Sequence, residues 1–501
     1  MSFISCGSFR LSAPAPPPAL VVEVADDDDE DKNGNKNNKT DLVIVGAGPS
    51  GLLTACVLKK TSMDDDVKVF DARERPTSFF GSFPVVLNKR GLTALEKLGP
   101  DFIAKVHELG RPEDAVNIMS GEKTVASVQT YGFCIMRDQL VGLLLEVADE
   151  LNIPIYWQHK FVSIDIETRT AVFEKVVEQY AHDHDDANNE IDPEEKDPIV
   201  EKKQEQQPQT NKIIVPVGQA LVGADGNYSR VRQECCDSHQ LLTVQEWDWG
   251  IQMRYLLTPN PKNTGQQLPS TIDGSMHYVL GGDGYLCQQP NGDWSMSLSI
   301  NDDCEDFMNS DDPSPENIAK LKAYCQQAVP SDFVAHLLTT EEIYASFFQH
   351  RLFGGTIIKC STLAPTQWIA LIGDAAHAVA PYTGEGVNSA LESASVLVDI
   401  LGRNNNNTCA DFDDARREDA HALNEFALRN RKMIAGTPTQ KRVNLFGTIM
   451  LGIGKKMRVV SAIMQDYMLG AKAQERDVVS YTDLVAMDKR QRRLLDPFGL
   501  V

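Results

Sequence analysis

The chain has 501 residues, 42% of them apolar, and a formal net charge of −23 at neutral pH. It is long enough for two domains, or for one large domain with a subdomain, and ordinary in composition for a folded protein. The charge has no basic stripe, which excludes a nucleic-acid-binding role. Ten cysteines without a C-x-x-C pair exclude a zinc ribbon, make a disulfide framework unexpected and point to a reducing, intracellular setting, cytoplasmic or organelle-associated.

The acidity is local. Glu23–Asp31 holds seven acids and no base, and Glu174–Lys212 holds twelve acids and five bases. Residues 1–40 read as a disordered tail, proline-rich, then acidic, then rich in Asn and Lys. Its start, Met1–Val22, has the composition of a weak organelle address, but Pro14, Pro16, Pro17 and Pro18 argue against an amphipathic targeting helix.

Leu42–Val45 reads as a buried parallel strand. Gly46, Gly48 and Gly51 follow at G-x-G-x-x-G spacing, with Pro49 and Ser50 between them, and Leu52–Lys60 reads as a helix. A strand that turns tightly into a helix aims backbone N–H groups and the positive helix end at one point, which suits a pyrophosphate. The first glycine permits the turn, the second lets phosphate approach the backbone, and the third lets the helix pack on the strand. Val67–Phe70 reads as a second strand, and Asp71 stands twenty residues past Gly51, where a carboxylate that holds a ribose hydroxyl is expected.

Phe79–Gly99 carries Leu92, Leu95 and Leu98 at helical spacing, and Phe102–Leu109 reads as a further helix. Tyr131–Met136 reads as a strand leading into Arg137 and a helix with Leu140, Leu143, Leu144 and Val147 on one face. Ile153–Trp157 and Phe161–Ile166 are expected strands. Thr170–Val176 is expected to pair with Lys212–Val217, with the acidic segment about 177–211 as a disordered excursion at the hairpin tip. Thr243–Leu257, Met276–Leu280, Tyr285–Gln289 and Trp294–Ile300 read as antiparallel strands, with Pro290-Asn-Gly-Asp293 as a hairpin turn. A helix over Pro315–Ala328, a strand over Gln367–Ile372, a second glycine-rich element over Gly373–Asn388 and a long apolar helix over Ser389–Leu401 complete the pattern.

The expected fold class is α/β. A nucleotide-binding domain over 41–241 resumes over 367–434, an antiparallel-sheet domain over 242–366 is inserted into it, and a helical region fills 435–501. No run reaches the roughly 18 apolar residues of a spanning helix. The apolar Leu445–Gly454 and the amphipathic stretch after it suit peripheral membrane contact at most. No second G-x-G-x-x-G accompanies the first, so the chain is expected to hold one dinucleotide permanently.

Three motifs carry a resemblance. They are Gly46-x-Gly48-x-x-Gly51; Gly223-Ala-Asp-Gly226 with Ser229 and Arg232; and Gly373-Asp374 with Pro381-x-x-Gly384-x-Gly386-x-Asn388. In this order they resemble the single-component FAD-dependent monooxygenases of the aromatic-hydroxylase type, over about residues 41–434. The resemblance implies a Rossmann-like FAD-binding domain of the GR2 type with an inserted substrate sheet. It implies FAD as cofactor, NAD(P)H as transient co-substrate, and hydroxylation of an aromatic small molecule by O2 through a flavin C4a-hydroperoxide.

It also implies residue roles. The pyrophosphate would lie on Gly46–Gly51 and the adenosine ribose on Asp71, with Ala72 and Arg73 beside it. Arg137 would contact the cofactor, Asp374 after Gly373 would bind the ribityl chain, and Asp225 would serve both FAD and passing NAD(P)H. Pro381, Gly384, Gly386, Val387 and Asn388 would turn backbone N–H groups to the flavin N1/O2 edge. Tyr131 would line the substrate pocket. His377 reads as structural rather than as a base, and no catalytic side chain or metal is implied.

Phe83–Leu95, Ile357–Ser361 and Arg417–Asn430 are similar to the kynurenine 3-monooxygenase branch of that family. Three positions depart from it. No arginine occurs in Val116–Met119, where the branch pairs one with the substrate carboxylate. Arg431 stands where the branch has tyrosine, and Glu385 where the loop usually has glutamine. Rival readings are an isoprenoid epoxidase or a flavin reductase of the same fold, and a non-catalytic flavin-binding protein.

Overall fold

The computed structural model describes residues 40–61, 66–76, 83–176, 212–265, 267–280, 284–300, 304–403, 407–434 and 478–495. The expected N-terminal tail (apart from Thr40), the acidic excursion and Leu445–Gly454 lie outside the described residues.

The glycine turn joins β1 (Thr40–Val45) to α1 (Pro49–Thr61), and β2 (Val67–Phe70) returns parallel to β1 with Leu42 opposite Val67. Next come β3 (Pro84–Leu87), α2 (Lys89–Leu95) and α3 (Pro100–Leu109). A hairpin of β4 (Arg111–Ser120) and β5 (Lys123–Met136) precedes α4 (Arg137–Glu150). Then follow β6 (Ile155–Tyr156), β7 (His159–Asp165), β8 (Thr170–Lys175), β9 (Lys212–Gly223) and the short α5 (Arg230–Gln233).

The first sheet has the order β6–β2–β1–β9–β8–β7. The long β9 pairs antiparallel with β8 through its first half and parallel with β1 through its second. Leu42, Val43, Ile44, Leu221 and Val222 are almost fully buried, which explains why β1 and β9 read as unbroken apolar runs.

The second sheet combines β11 (Gln252–Thr258), β12 (Met276–Leu280), β13 (Gly284–Gln288) and β14 (Trp294–Ile300) with three earlier strands, in the order β11–β14–β13–β12–β4–β5–β3. The sheet expected from residues after 242 therefore also recruits residues 84–136. The stretch Thr243–Leu257 is not one strand. Gly250, at φ 76, breaks it into β10 (Val244–Asp248), which pairs with β15 (Thr356–Cys360), and β11, which pairs with β14. The turn at Pro290–Asp293 forms as the sequence predicts, with Gly292 at φ 90.

One face of this sheet is closed by α6 (Pro315–Ala328), α7 (Ser331–Leu337) and α8 (Glu341–Gln349). Leu256, Tyr278, Leu280, Leu286, Met296 and Leu298 point into that layer. The chain then rejoins the first sheet through β16 (Ile369–Leu371), beside β9, and continues into α9 (Asp374–His377), α10 (Gly386–Arg403) and α11 (Cys409–Ile434). The last helix, α12 (Tyr481–Leu495), packs Tyr481, Leu484 and Val485 against Leu423 and Ala427 of α11. No helix among the described residues is long and apolar enough to cross a membrane.

Candidate active site

The three glycines of the first turn do different work. At Gly46, φ is 108 and a Cβ would lie 2.3 Å from the Ala224 carbonyl oxygen; at Gly51 a Cβ would lie 2.1 Å from the Gly46 oxygen. Both are closed by backbone. At Gly48 a Cβ would meet nothing within 4 Å, so the turn opens to solvent there, at the start of a 13-residue helix whose first N–H groups have no intrahelical partner.

Asp71 lies just past β2 and is buried. Its Oδ2 accepts the Ala47 N–H at 2.7 Å and an Arg73 N–H at 2.8 Å, and its Oδ1 accepts the Arg73 backbone N–H at 2.8 Å. Burial pushes this carboxyl up, but the Arg73 guanidinium and the backbone donors outweigh it and hold the group below its ordinary value. Asp71 is therefore ionised, with Arg73 folded over it and Ala72 exposed beside it.

Arg137 opens α4, and its guanidinium carbon lies 5.8 Å from the centre of the Phe83 ring. Burial and the charge of Arg73 lower its pKa, while Asp374 and Asp138 oppose that. Among the described residues it has no carboxylate within ion-pair distance. Asp374, after Gly373 at φ 59, is accessible to solvent. Yet burial raises its pKa, against the charges of Arg137 and Arg232. Both guanidinium groups therefore lie within electrostatic reach of the Asp374 carboxyl. Ser50 of the first motif stands beside this turn, its Oγ 3.1 Å from where a Gly373 Cβ would stand.

The second motif holds the other two in place. Asp225 Oδ1 accepts the Ser229 hydroxyl at 2.6 Å, and Oδ2 accepts the backbone N–H groups of Arg230 and Val231 at 2.7 and 3.2 Å. Asp225 thus caps α5. The buried Arg232 donates to the Ala375 and Asn227 carbonyls at 3.0 and 2.7 Å, bolting α5 to α9. His377 is also structural in character. Burial pushes it down to about 3, so it is neutral, and its Nε2 lies 2.8 Å from Ser393 Oγ.

The third motif is a left-handed turn at Gly384 (φ 68) that feeds the N-terminus of α10. Pro381 and Gly384 are exposed, Val387 is partly buried, and neither Gly384 nor Gly386 is crowded. Asn388 is buried. Its Nδ2 donates to the Val86 and Gly384 carbonyls at 2.9 and 3.2 Å, and its Oδ1 accepts the Asn88 N–H at 3.0 Å.

Val86 connects this loop to the second sheet. At Gly132 a Cβ would lie 2.4 Å from Val86 Cγ1 and 2.8 Å from Glu113 Oε2. Glu113 belongs to a buried polar group on the sheet face turned away from α6–α8. His277 Nδ1 lies 3.1 Å from Glu113 Oε1 and also bonds the Tyr285 hydroxyl. Burial lowers the His277 pKa, but Glu113 and Cys134 override it and raise it. Cys134 is lowered, first by a bond from Cys287, against burial, and further by His277. Arg111 completes the group by donating to Gln288 Oε1. Tyr131 lies on β5 next to Gly132; its side chain is outside the described residues.

An FAD binding domain model matches residues 39–249. The chain is 24% identical to the kynurenine 3-monooxygenase of Phaeosphaeria nodorum, over 79% of this chain and 78% of that protein. To the kynurenine 3-monooxygenase of Emericella nidulans it is 22% identical, over 91% and 89%. Among solved structures it is similar in fold to p-nitrophenol 4-monooxygenase of Pseudomonas putida, with a TM-score of 0.58 and 16% identity over 86% of this chain and 97% of that one. It is also similar in fold to 2-methyl-3-hydroxypyridine-5-carboxylic acid oxygenase, with a TM-score of 0.56 and 17% identity over 80% and 94%. The chain is thus similar in sequence to FAD-dependent monooxygenases along most of its length, and residues 39–249 match an FAD binding domain.

The residues of the three motifs fit FAD. The open Gly48 turn suits a pyrophosphate, Arg137 and Asp374 lie within electrostatic reach of each other, and the N-terminus of α10 carries free backbone donors. Sequence reasoning expects Gly46–Gly51, Asp71, Arg137, Asp374 and Asn388 to act together, each through a local backbone requirement; the structure sets Ser50 beside Gly373 and Arg137 within electrostatic reach of Asp374. Asp225, expected to serve the cofactor, has both carboxylate oxygens engaged by Ser229 and the first N–H groups of α5. Sequence reasoning missed the Glu113–His277–Tyr285 group altogether. These residues come from three strands, and no local pattern marks them as neighbours. The one available signal was Arg111, the nearest cation to the position where the kynurenine branch has its arginine. Arg431, a second departure, donates to the Asp248 carbonyl and carboxylate at 2.6 and 2.8 Å.

Proposed function

We propose that the chain hydroxylates an aromatic small molecule, using NAD(P)H as reductant and O2 as oxidant. In the balanced reaction, substrate, O2, NAD(P)H and one proton give hydroxylated substrate, water and NAD(P)+. The observation that supports this reading is that the three glycine motifs lie together: Ser50 stands beside Gly373, Arg137 lies within electrostatic reach of Asp374, and Asn388 of the Gly384 loop bonds Val86 at the edge of the second sheet.

Bound FAD would supply reduction by the nicotinamide and activation of O2; the protein's part is positioning and exclusion of water. Ser50 and Gly51 would donate backbone N–H groups to the pyrophosphate. Asp71, ionised and fixed by Arg73, would accept a ribose hydroxyl. Asp374 would accept from the ribityl chain, and Arg137 would balance phosphate charge. The N–H groups at the start of α10 would stabilise negative charge at the flavin edge. On the substrate side, Arg111 offers a cation and the Glu113–His277–Tyr285 group a buried acid–base chain. Tyr131, next to Gly132 on β5, would line the substrate pocket.

The test is coenzyme oxidation by the FAD-loaded protein with and without L-kynurenine and a panel of phenols. Substrate-stimulated oxidation with a hydroxylated product is expected. Bound FAD with no stimulation by any aromatic would refute the reading and favour a non-catalytic flavoprotein.

A further inference from the structure

The loop at the start of α10 reads Gly384-Glu385-Gly386, with a glutamate that the resemblance did not lead one to expect. Glu385 is buried, and a buried carboxyl must find donors or forfeit several hydrogen bonds to water. Its donors come from outside the loop. Asn88 Nδ2 lies 3.1 and 3.2 Å from the two carboxylate oxygens, and the Tyr481 hydroxyl donates to Oε2 at 2.7 Å.

Tyr481 opens α12, the last described element, and is itself buried. Its ring is held by Arg90, whose guanidinium carbon lies 3.9 Å from the ring centre. Arg90 also donates to the Val479 carbonyl at 2.6 Å and pairs with Glu392 on α10. Asn88, which donates to Glu385 through its side chain, donates through its backbone to Asn388 of the same loop at 3.0 Å. An unbroken chain of contacts thus runs from the C-terminal segment to the 384–388 loop.

We propose that Tyr481 is a positioning residue for the cofactor. By satisfying the buried Glu385, it fixes the 384–388 loop in the shape that presents its N–H groups to FAD, so the C-terminal segment sets cofactor affinity without touching the cofactor. This rests on the flavin reading above. The chemistry is an exchange of one donor. Without the Tyr481 hydroxyl, one oxygen of a buried carboxylate loses its shortest hydrogen bond, and the loop must move to bring Glu385 to water. A neutral amide at 385 would not make that demand.

The experiment measures the FAD dissociation constant by flavin fluorescence for the wild-type chain, Tyr481→Phe, Glu385→Gln and the double variant. Phenylalanine keeps the ring under Arg90 and the packing on α11, so folding is preserved; a matching circular dichroism melt checks this. Tyr481→Phe should weaken FAD binding about tenfold, the size expected for one hydrogen bond to a charged group. Glu385→Gln in the Tyr481→Phe background should restore it to within about twofold, the tolerance of such cycles. Unchanged affinity in Tyr481→Phe would overturn the proposal. So would a loss that Glu385→Gln fails to rescue, since Tyr481 would then act by packing alone. A wild-type chain that binds no FAD would instead refute the function proposed above.

Discussion

Two alanine substitutions in one turn should have opposite consequences. In Gly51→Ala the new methyl lands 2.1 Å from the Gly46 oxygen, a backbone atom that cannot rotate away. The turn must open, at a cost of about 1–3 kcal/mol or more of fold stability. In Gly48→Ala the methyl meets nothing within 4 Å, so the fold should tolerate it. The methyl instead occupies the space through which phosphate would approach the N–H groups of Ser50 and Gly51. Losing two hydrogen bonds to a charged group, at about 1.5 kcal/mol each, weakens FAD binding about 100-fold. The assay is a thermal melt of each apoprotein together with an FAD titration. Gly48→Ala should melt like the parent and bind FAD poorly, and Gly51→Ala should melt early. A Gly48→Ala variant with parental FAD affinity would refute the assignment of this turn to the pyrophosphate.

Further consequences can be measured directly. Asp374→Ala should purify largely without flavin, as read by the absorbance ratio of flavin to protein; full occupancy would contradict the role of the wet carboxyl. His377 has a folded pKa of about 3 against an ordinary 6.5, so the unfolded chain binds its proton first and stability falls as pH drops below 6.5. At pH 5 that costs about 2 kcal/mol. His377→Asn should flatten the acid side of the stability profile, measured by urea melts at several pH values, and an unchanged slope would contradict a neutral buried histidine. Replacing Asp183–Gln209 by a short turn should leave turnover and melting temperature unchanged, because β8 and β9 pair up to Glu174 and Lys212 without it; a large loss of turnover would give that segment a function.

What could be read from the sequence depended on how local each constraint is. The G-x-G-x-x-G turn, Asp71 and the Gly384 turn are legible because a tight turn or a strand end dictates residue type within a few positions. Sheet membership is not of that kind. The β4–β5 hairpin joins the second sheet through Met276 opposite Ala115, a pairing that alternation along either strand leaves open. Thr243–Leu257 keeps its alternation on both sides of Gly250, so the switch between sheets is hidden in one positive φ. Asp-Gly suits both a cofactor contact and a cap, and the three donors that hold Asp225, from Ser229 and α5, cannot be read from the motif alone. The Glu113–His277 pair spans 164 positions, and the Tyr481–Glu385 bond spans 96. Both are products of tertiary packing.

The central claim is transfer of an oxygen atom, and its most direct measurement is isotope incorporation. The FAD-loaded chain is supplied with NADPH, isotopically heavy O2 and L-kynurenine or whichever aromatic stimulates coenzyme oxidation, and the product is weighed by mass spectrometry. The account predicts a hydroxylated ring carrying one heavy oxygen atom per coenzyme consumed. Coenzyme consumption that returns all the oxygen as hydrogen peroxide, with no label in any aromatic, would contradict it.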